Sequence, residues 1–139
     1  MLQRITPYVA YGYPSRSTIS DLIYSRGSAR IGRSRIPLVD NHIIQDHLAK
    51  YDILCVEDII EEIHQCGPNF KQANNFLWTF KLHNPRGGWR NKKKPYQQHG
   101  DTGNREELIN ALVRRMIWFI FNKIEIIELI KLIKKMLLI

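Results

Sequence analysis

The chain has 139 residues, of which 44% are hydrophobic and 24% charged, a composition typical of a folded domain that excludes a wholly disordered chain or a membrane bundle. Its 21 Lys and Arg residues outnumber its 13 Asp and Glu residues, and the net charge of +8 favours a polyanionic partner, either nucleic acid or an anionic membrane surface. With only two cysteines and no signal-peptide pattern, we expect an intracellular single-domain binding protein and not a secreted disulfide scaffold.

The N-terminal third is predicted to contain one strand and one helix. Tyrosines and β-branched residues predict a strand over residues 5–14, which ends at a glycine and a proline. Ser17 is a residue type that caps helices, and the apolar spacing after it predicts a helix to about Arg26 that Gly27 ends. Residues 28–39 carry arginines between small residues and are predicted to form a loop.

The middle and the C-terminal parts are predicted to be mainly helical, with a long loop between them. Helices are predicted over residues 40–50, with Asp40 as cap, and over residues 57–65. Residues 76–80 are predicted to be extended and aromatic, and residues 81–103 to form a basic loop. A helix is predicted over residues 104–116, and its expected buried side chains are Leu108, Ile109, Leu112 and Val113.

Charge is strongly segregated along the chain. The charge balance is +5 over residues 1–39, −6 over residues 40–66 and +7 over residues 67–100, where no acidic residue occurs. Evenly interleaved charges would serve solubility equally well, so this arrangement favours two binding segments on either side of an acidic helical stretch.

The stretch of residues 81–94 is the strongest functional signal in the chain. Its six basic residues suit phosphate neutralisation, its paired glycines allow close approach of a ligand, and its tryptophan offers a stacking face for an unpaired base. The alternative is a solvated loop or a localisation signal. The candidate RNA-binding residues in this stretch are Lys81, Arg86, Trp89, Arg90, Lys92, Lys93 and Lys94.

A second group of candidate RNA-binding residues is formed by Arg30, Arg33 and Arg35. The guanidinium fork suits phosphate oxygens, but three surface arginines are a weak signal when taken alone. Their presence as a second basic site is the main reason for preferring the binding interpretation of residues 81–94 to a solvated loop.

Neither catalysis nor metal binding is predicted. Cys55 and Cys66 lack the close spacing of zinc-binding cysteines, and we expect them to be buried structural thiols. No phosphate-binding glycine loop or nucleophile elbow occurs, and the histidines lack a recognisable catalytic arrangement. We therefore predict no catalytic residues, no metal and no cofactor.

The last segment, residues 117–139, differs in composition and is predicted to form an amphipathic helix separate from a domain of residues 1–116. Six charges along it argue against a membrane span. It could lie on a membrane surface, pack on a partner helix, or be an unselected extension, because an Ile, Lys, Phe and Asn bias is what translated AT-rich non-coding sequence yields.

Several ordered segments identify a family. They are residues 7–14, 21–27, 57–63, 74–78, 80–82, 85–88 and 103–106. Together they resemble the eukaryotic and archaeal L-seven branch of the universal L-thirty family of large-subunit ribosomal proteins, over roughly residues 2–116.

The resemblance implies an α+β fold, with a partial ferredoxin-like core of the L-thirty type, added helices and long basic loops. It implies a structural, non-enzymatic constituent of the large subunit that binds ribosomal RNA and supports assembly. The implied partners are large-subunit ribosomal RNA and neighbouring ribosomal proteins, with no small-molecule substrate. The implied location is the cytoplasmic ribosome after a nucleolar assembly stage. The two basic segments would lie against RNA.

Three features depart from the family pattern. Thr79 stands where the family usually has proline, residues 117–139 have no counterpart, and the family has a long part before the position of Met1 that includes sheet strands. We therefore expect an exposed sheet edge and an isolated chain of low stability that aggregates. The alternatives are a truncated non-functional paralogue and a basic protein attached to an anionic membrane through residues 117–139.

Overall fold

A computed structural model describes residues 2–117 of the chain. Short 3₁₀ turns occupy Ala49–Tyr51, Tyr96–Gln98 and Glu106–Leu108. The helices and strands, in chain order, are α1 (Leu2–Ile5), β1 (Ala10–Tyr11), α2 (Arg16–Arg26), β2 (Ser28–Ile31), β3 (Ser34–Pro37), α3 (Asn41–Leu48), α4 (Val56–Gln65), α5 (Phe70–Phe76), β4 (Gly103–Asn104) and α6 (residues 109–117).

The strands of the described residues form two small sheets, so the predicted α+β class is confirmed. Strands β2 and β3 form an antiparallel hairpin in which Ala29 faces Ile36 and Arg30 faces Arg35. Strands β1 and β4 pair in parallel, with Ala10 opposite Gly103. The second pairing joins segments that are far apart in sequence.

The main hydrophobic core lies between α2, α3, α4, α5 and the hairpin. Ile44 on α3 and Ile59 on α4 are fully buried, and Ala29 brings the hairpin into the same cluster. Helix α4 packs on both α2 and α5. The predicted helices of the acidic stretch are confirmed, and their apolar spacing explains why, since it turns one face of each helix toward this core.

The predicted strand over residues 5–14 is wrong for most of its length. Residues 2–5 form a helical turn, and the Tyr8 N–H donates to the Ile5 carbonyl at 2.9 Å, which closes a turn before β1. The predicted cap at Ser17 is also wrong, because the Ser15 side chain accepts a hydrogen bond from the Thr18 N–H.

The predicted loop over residues 28–39 is a β-hairpin. Gly32 and Arg33 form its two-residue turn, in which Gly32 has φ +61° and Arg33 has no positive φ. A positive φ at the first position alone is the pattern of a type II′ turn, which matches the twist of antiparallel strands.

Three further predictions need correction. Phe76 ends helix α5 and only the residues after it are extended, because Leu77 pairs with Ala29. The helix predicted from residue 104 is preceded by β4 and a 3₁₀ turn, so Leu108 lies outside it and is 53% exposed. Neither cysteine is fully buried, since Cys66 is exposed and Cys55 is intermediate.

The predicted amphipathic helix of residues 117–139 lies, from residue 118 onward, outside the described residues. Within residues 2–117 no helix has both the length and the apolar character needed to cross a membrane.

Candidate nucleic-acid interface

The β2–β3 hairpin carries the three candidate arginines at its strands and tip. Arg30 and Arg35 lie directly opposite each other, Arg33 is in the turn, and all three are exposed. The hairpin therefore presents a positive surface, and we call strands β2 and β3 with their turn the arginine hairpin. Like charges at opposed positions of two strands destabilise a sheet.

The arginine hairpin is attached to the segment that follows α5. The Trp78 N–H donates to the Ser28 carbonyl at 2.8 Å, and the Arg30 guanidinium carbon lies 5.6 Å from the centre of the Trp78 ring. Arg35 donates from Nε to the Ser28 hydroxyl at 2.9 Å. These contacts orient two of the arginines and place an aromatic face beside Arg30.

Residues 81–94, which we call the basic loop, change direction at their paired glycines. Gly87 and Gly88 have φ values of +89° and +74°, and the Gly88 N–H donates to the Pro85 carbonyl at 2.9 Å. A β-carbon added at either glycine would meet no atom within 4 Å, so the backbone here faces open space. Glycine is needed for this backbone conformation.

The three consecutive lysines at the end of the basic loop stand on an organised turn. The Lys93 N–H donates to the Asn91 side-chain oxygen at 2.9 Å. The Lys94 carbonyl accepts from the Asp101 N–H at 3.1 Å and from the Thr102 hydroxyl at 2.9 Å. The backbone that carries Lys92, Lys93 and Lys94 is therefore held, while their ammonium groups are exposed.

Asp101 is the centre of this turn. One carboxylate oxygen accepts from the Asn91 N–H at 2.9 Å, and the other lies 2.8 Å from Nη2 of Arg105, whose side chain is 3% exposed. The Arg105 guanidinium also lies 4.8 Å from the centre of the Tyr96 ring. Asp101 thus joins the basic loop, through Asn91, to Arg105 in the segment before α6.

The environment of Asp101 stabilises its charged form. Burial acts to raise the pKa of its carboxyl group, but the hydrogen bonds from the Asn91 N–H and from Arg105 outweigh burial, and the pKa is lowered. Asp101 therefore remains ionised and paired at neutral pH.

The candidate bases are not neutralised by acidic neighbours of the described chain. Ion pairs between residues 2–117 join Arg16 to Glu61, His42 to Asp46 and Arg105 to Asp101. None of these cations belongs to the arginine hairpin or to the basic loop. All nine candidate bases are exposed, and Trp89 is half-buried. These side chains are accessible to an external anion.

Sequence reasoning missed several residues of this region. Trp78 lies beside Arg30, and Arg114 and Arg115 line a cavity of about 510 Å³ together with Arg86. The Arg86 N–H donates to the Arg115 carbonyl at 3.2 Å. No local pattern could reveal these neighbours, because each depends on a contact between distant segments. The positioning role of Asp101 was missed for the same reason.

No group of three or more His, Cys, Asp or Glu residues that could hold a metal ion occurs in the described part of the chain.

No protein-family model matches the chain. Curated proteins do match it: "Large ribosomal subunit protein uL30" of Tetrahymena thermophila is 56% identical over 117 residues, which are 84% of this chain and 49% of that protein. The proteins of the same name from Debaryomyces hansenii and Dictyostelium discoideum are 59% and 55% identical, again over 84% of this chain and over 48% and 47% of their own lengths. Over the aligned 116 or 117 residues, this chain is similar to proteins of the uL30 family.

The uL30 relationship confirms the family resemblance found in the sequence. The α+β arrangement is consistent with the ferredoxin-like core of uL30. The chain spans about half the length of the curated relatives that it matches. The comparisons do not support the alternatives of membrane attachment or a non-functional copy.

Proposed function

We propose that the chain is a structural constituent of the large ribosomal subunit that binds ribosomal RNA and supports subunit assembly. The observation that carries this proposal is the identity of 50–59% to curated uL30 proteins over most of the chain. The role is non-enzymatic, since the relatives carry the name of a ribosomal protein.

The RNA contacts come from the arginine hairpin and the basic loop. The contacting residues are Arg30, Arg33, Arg35, Lys81, Arg86, Trp89, Arg90, Lys92, Lys93 and Lys94. The support is that their basic groups are exposed and lie outside the ion pairs between described residues. Such groups bind phosphates and release condensed counterions, which makes affinity strongly dependent on salt.

The pairing of Arg30 with Arg35 gives a further argument for an anionic ligand at the hairpin. Like charges at directly opposed strand positions repel in the free protein, and here Arg30 lies over Trp78 while Arg35 donates to Ser28. A phosphate bound to both relieves that repulsion and forms charge-assisted hydrogen bonds.

The proposed setting is the ribosome in the cytoplasm, after assembly in the nucleolus. The partners are large-subunit ribosomal RNA and neighbouring ribosomal proteins. The division into a uL30-like domain of residues 1–116 and a tail of residues 117–139 stays a prediction, and Ile117 itself is buried within α6. The acidic helices α3 and α4 face away from RNA or pack within the protein.

The first test replaces Lys92, Lys93 and Lys94 together with glutamine. Affinity for large-subunit ribosomal RNA fragments should fall for all sequences. The slope of log affinity against log salt should become less steep by about 2, because three phosphate contacts are lost at about 0.7 each. Fluorescence anisotropy titrations at several salt concentrations measure both quantities.

A matched control replaces Arg16, Lys50 and Lys71 with glutamine. This variant loses the same formal charge at exposed positions outside the arginine hairpin and the basic loop. Its salt slope should stay close to that of the original chain. Equal slopes for the lysine variant and the original chain would contradict phosphate contacts by these three lysines.

A second test asks whether the chain is present in ribosomes. Mass spectrometry of salt-washed large subunits from the source should detect peptides that distinguish this chain from other uL30 proteins. Peptides beyond residue 117, found at the intact mass of 16.4 kDa, would support a role in the subunit. Their absence from subunits that contain another uL30 protein would contradict the proposal.

A further inference from the structure

A cleft of about 410 Å³ lies between the N-terminal segment and the basic loop. Ligand pockets usually enclose about 300–1,000 Å³ and combine apolar walls with a few polar groups. The lining of this cleft fits that description. Its apolar surface comes from Pro7, Ala10 and two aromatic rings, and its polar groups come from Asn84, Lys92, Asp101 and Thr102.

Two aromatic side chains line the cleft. Tyr8 is 85% exposed, which is unusual for so large a ring in a folded domain, and Trp89 is half-buried. Aromatic faces beside basic groups are the standard means by which proteins hold unpaired bases. The aromatic lining therefore favours a flat ring as the ligand.

The polar groups of the cleft suit the rest of a nucleotide. The Asn84 amide oxygen lies 3.5 Å from Nε1 of Trp89, a long hydrogen bond that a base can replace. An amide offers both donors and an acceptor to the edge of a base. The Lys92 ammonium lies over the Trp89 ring, 5.7 Å from its centre. A base that stacks on this face takes the place of the ammonium, which can then pair with the phosphate of the same nucleotide.

The carboxylate in the cleft does not oppose this ligand. One Asp101 oxygen accepts from the Asn91 N–H, and the other is paired with Arg105. Both oxygens are thus occupied within the protein, and the negative charge is compensated by a buried guanidinium.

The two walls of the cleft are fixed relative to each other. Parallel pairing of β1 with β4 holds the N-terminal wall, where the Gly103 N–H donates to the Val9 carbonyl at 2.8 Å. Asp101, two residues before Gly103, holds the basic loop through Asn91. A cleft braced in this way binds its ligand without a large ordering cost.

We propose that this cleft takes one unpaired nucleotide of the bound RNA, with its base stacked on Trp89 and its phosphate beside Lys92. The inference rests on the proposed RNA-binding function and adds to it a preference for a bulged or extruded nucleotide. Tyr8 and Asn84 complete the site.

The test compares two RNA hairpins that differ only in a single unpaired adenosine within the stem. The full chain should bind the bulged hairpin about tenfold more tightly than the fully paired hairpin, at the low end of what stacking on one aromatic contributes. Trp89→Ala should bring the ratio of the two affinities close to one, whatever its effect on the affinity for the paired hairpin. Trp89→Phe should retain most of the preference, because the stacking face remains.

Tyr8→Ala should reduce the preference, whereas the control Tyr13→Ala should not, since Tyr13 is 70% exposed and lies outside the cleft lining. Equal binding of the two hairpins by the original chain, or an unchanged preference in Trp89→Ala, overturns the inference while leaving RNA binding intact. Salt-insensitive binding of both hairpins would instead contradict the proposed function.

Discussion

Asp101 shows how one residue controls the presentation of several others. In the described hydrogen bonds, its carboxylate contacts none of the candidate RNA-binding side chains. Instead it accepts a hydrogen bond from the Asn91 N–H and forms an ion pair with buried Arg105. Through these contacts it supports the turn that carries three lysines. It is therefore a positioning residue for the proposed interface.

The substitution Asp101→Asn should lower the free energy of unfolding by about 3 kcal/mol. The reason is that Arg105 would remain buried without its counter-ion, and removing one partner of a buried pair costs about 3–5 kcal/mol. Urea unfolding followed by circular dichroism measures the change.

The matched control is Glu61→Gln, which breaks the pair with Arg16. Those side chains are 43% and 57% exposed, so the loss should stay below about 1 kcal/mol. If the two variants lost similar amounts of unfolding free energy, the buried Asp101–Arg105 pair would contribute no more to stability than the exposed pair.

At the scale of elements, the start of α2 permits a direct comparison between the predicted and the observed cap. Ser15→Ala should cost about 1 kcal/mol, because the Ser15 oxygen accepts from the Thr18 N–H. Ser17→Ala should cost less than about 0.5 kcal/mol, because within the described residues the exposed Ser17 hydroxyl accepts from no backbone N–H and bonds only to the side chains of Ser15 and Arg114. Thermal melts of the two variants, side by side, measure the difference, and a larger loss for Ser17→Ala would contradict this assignment.

Helices with a clear apolar face could be predicted from the sequence, and elements defined by distant partners could not. Helix α4 follows from isoleucines at helical spacing and acids in its first turn. Strand β1 has only two residues and exists because it pairs with β4, more than 90 residues later. The β2–β3 hairpin carried a usable signal, a glycine in a two-residue turn between alternating apolar residues.

The candidate interface was predictable in its charges and not in its geometry. Exposed lysines and arginines follow from local composition, and the structure leaves them exposed. The ring of Trp78 beside Arg30 depends on a bridge between Leu77 and Ala29, which no periodicity reveals. The cleft likewise depends on a long-range strand pairing.

At the scale of the whole molecule, charge segregation along the chain becomes segregation between structural parts. The acidic residues 40–66 form α3 and α4, which pack into the main core, whereas the basic segments form the hairpin and the loop. Repulsion within each basic segment is a cost that a polyanion offsets.

Acid should destabilise the molecule through specific carboxylates. Hydrogen bonding from the Leu54 N–H lowers the pKa of Asp58, and the Asn91 and Arg105 contacts lower that of Asp101 against the effect of burial. The stabilisation by both groups is complete above their ordinary pKa of 3.8 and is lost as pH falls through the lower folded values.

Melting temperatures recorded from about pH 6 down to about pH 2 should therefore fall in the acid range, and Asp101→Asn should fall less steeply, because it lacks one of the two groups. Parallel curves for the original chain and the variant would contradict the contribution of Asp101.

The pairing of β1 with β4 has a consequence for the order of events during synthesis. One wall of the nucleotide cleft comes from residues 7–10 and the other from residues 84–102, so the cleft is absent until residue 104 has left the ribosome that makes the chain. Contacts of such long sequence separation form late in folding. The arginine hairpin, whose strands are local, can form much earlier, and a nascent chain would thus acquire its phosphate-binding surface before its base-binding cleft.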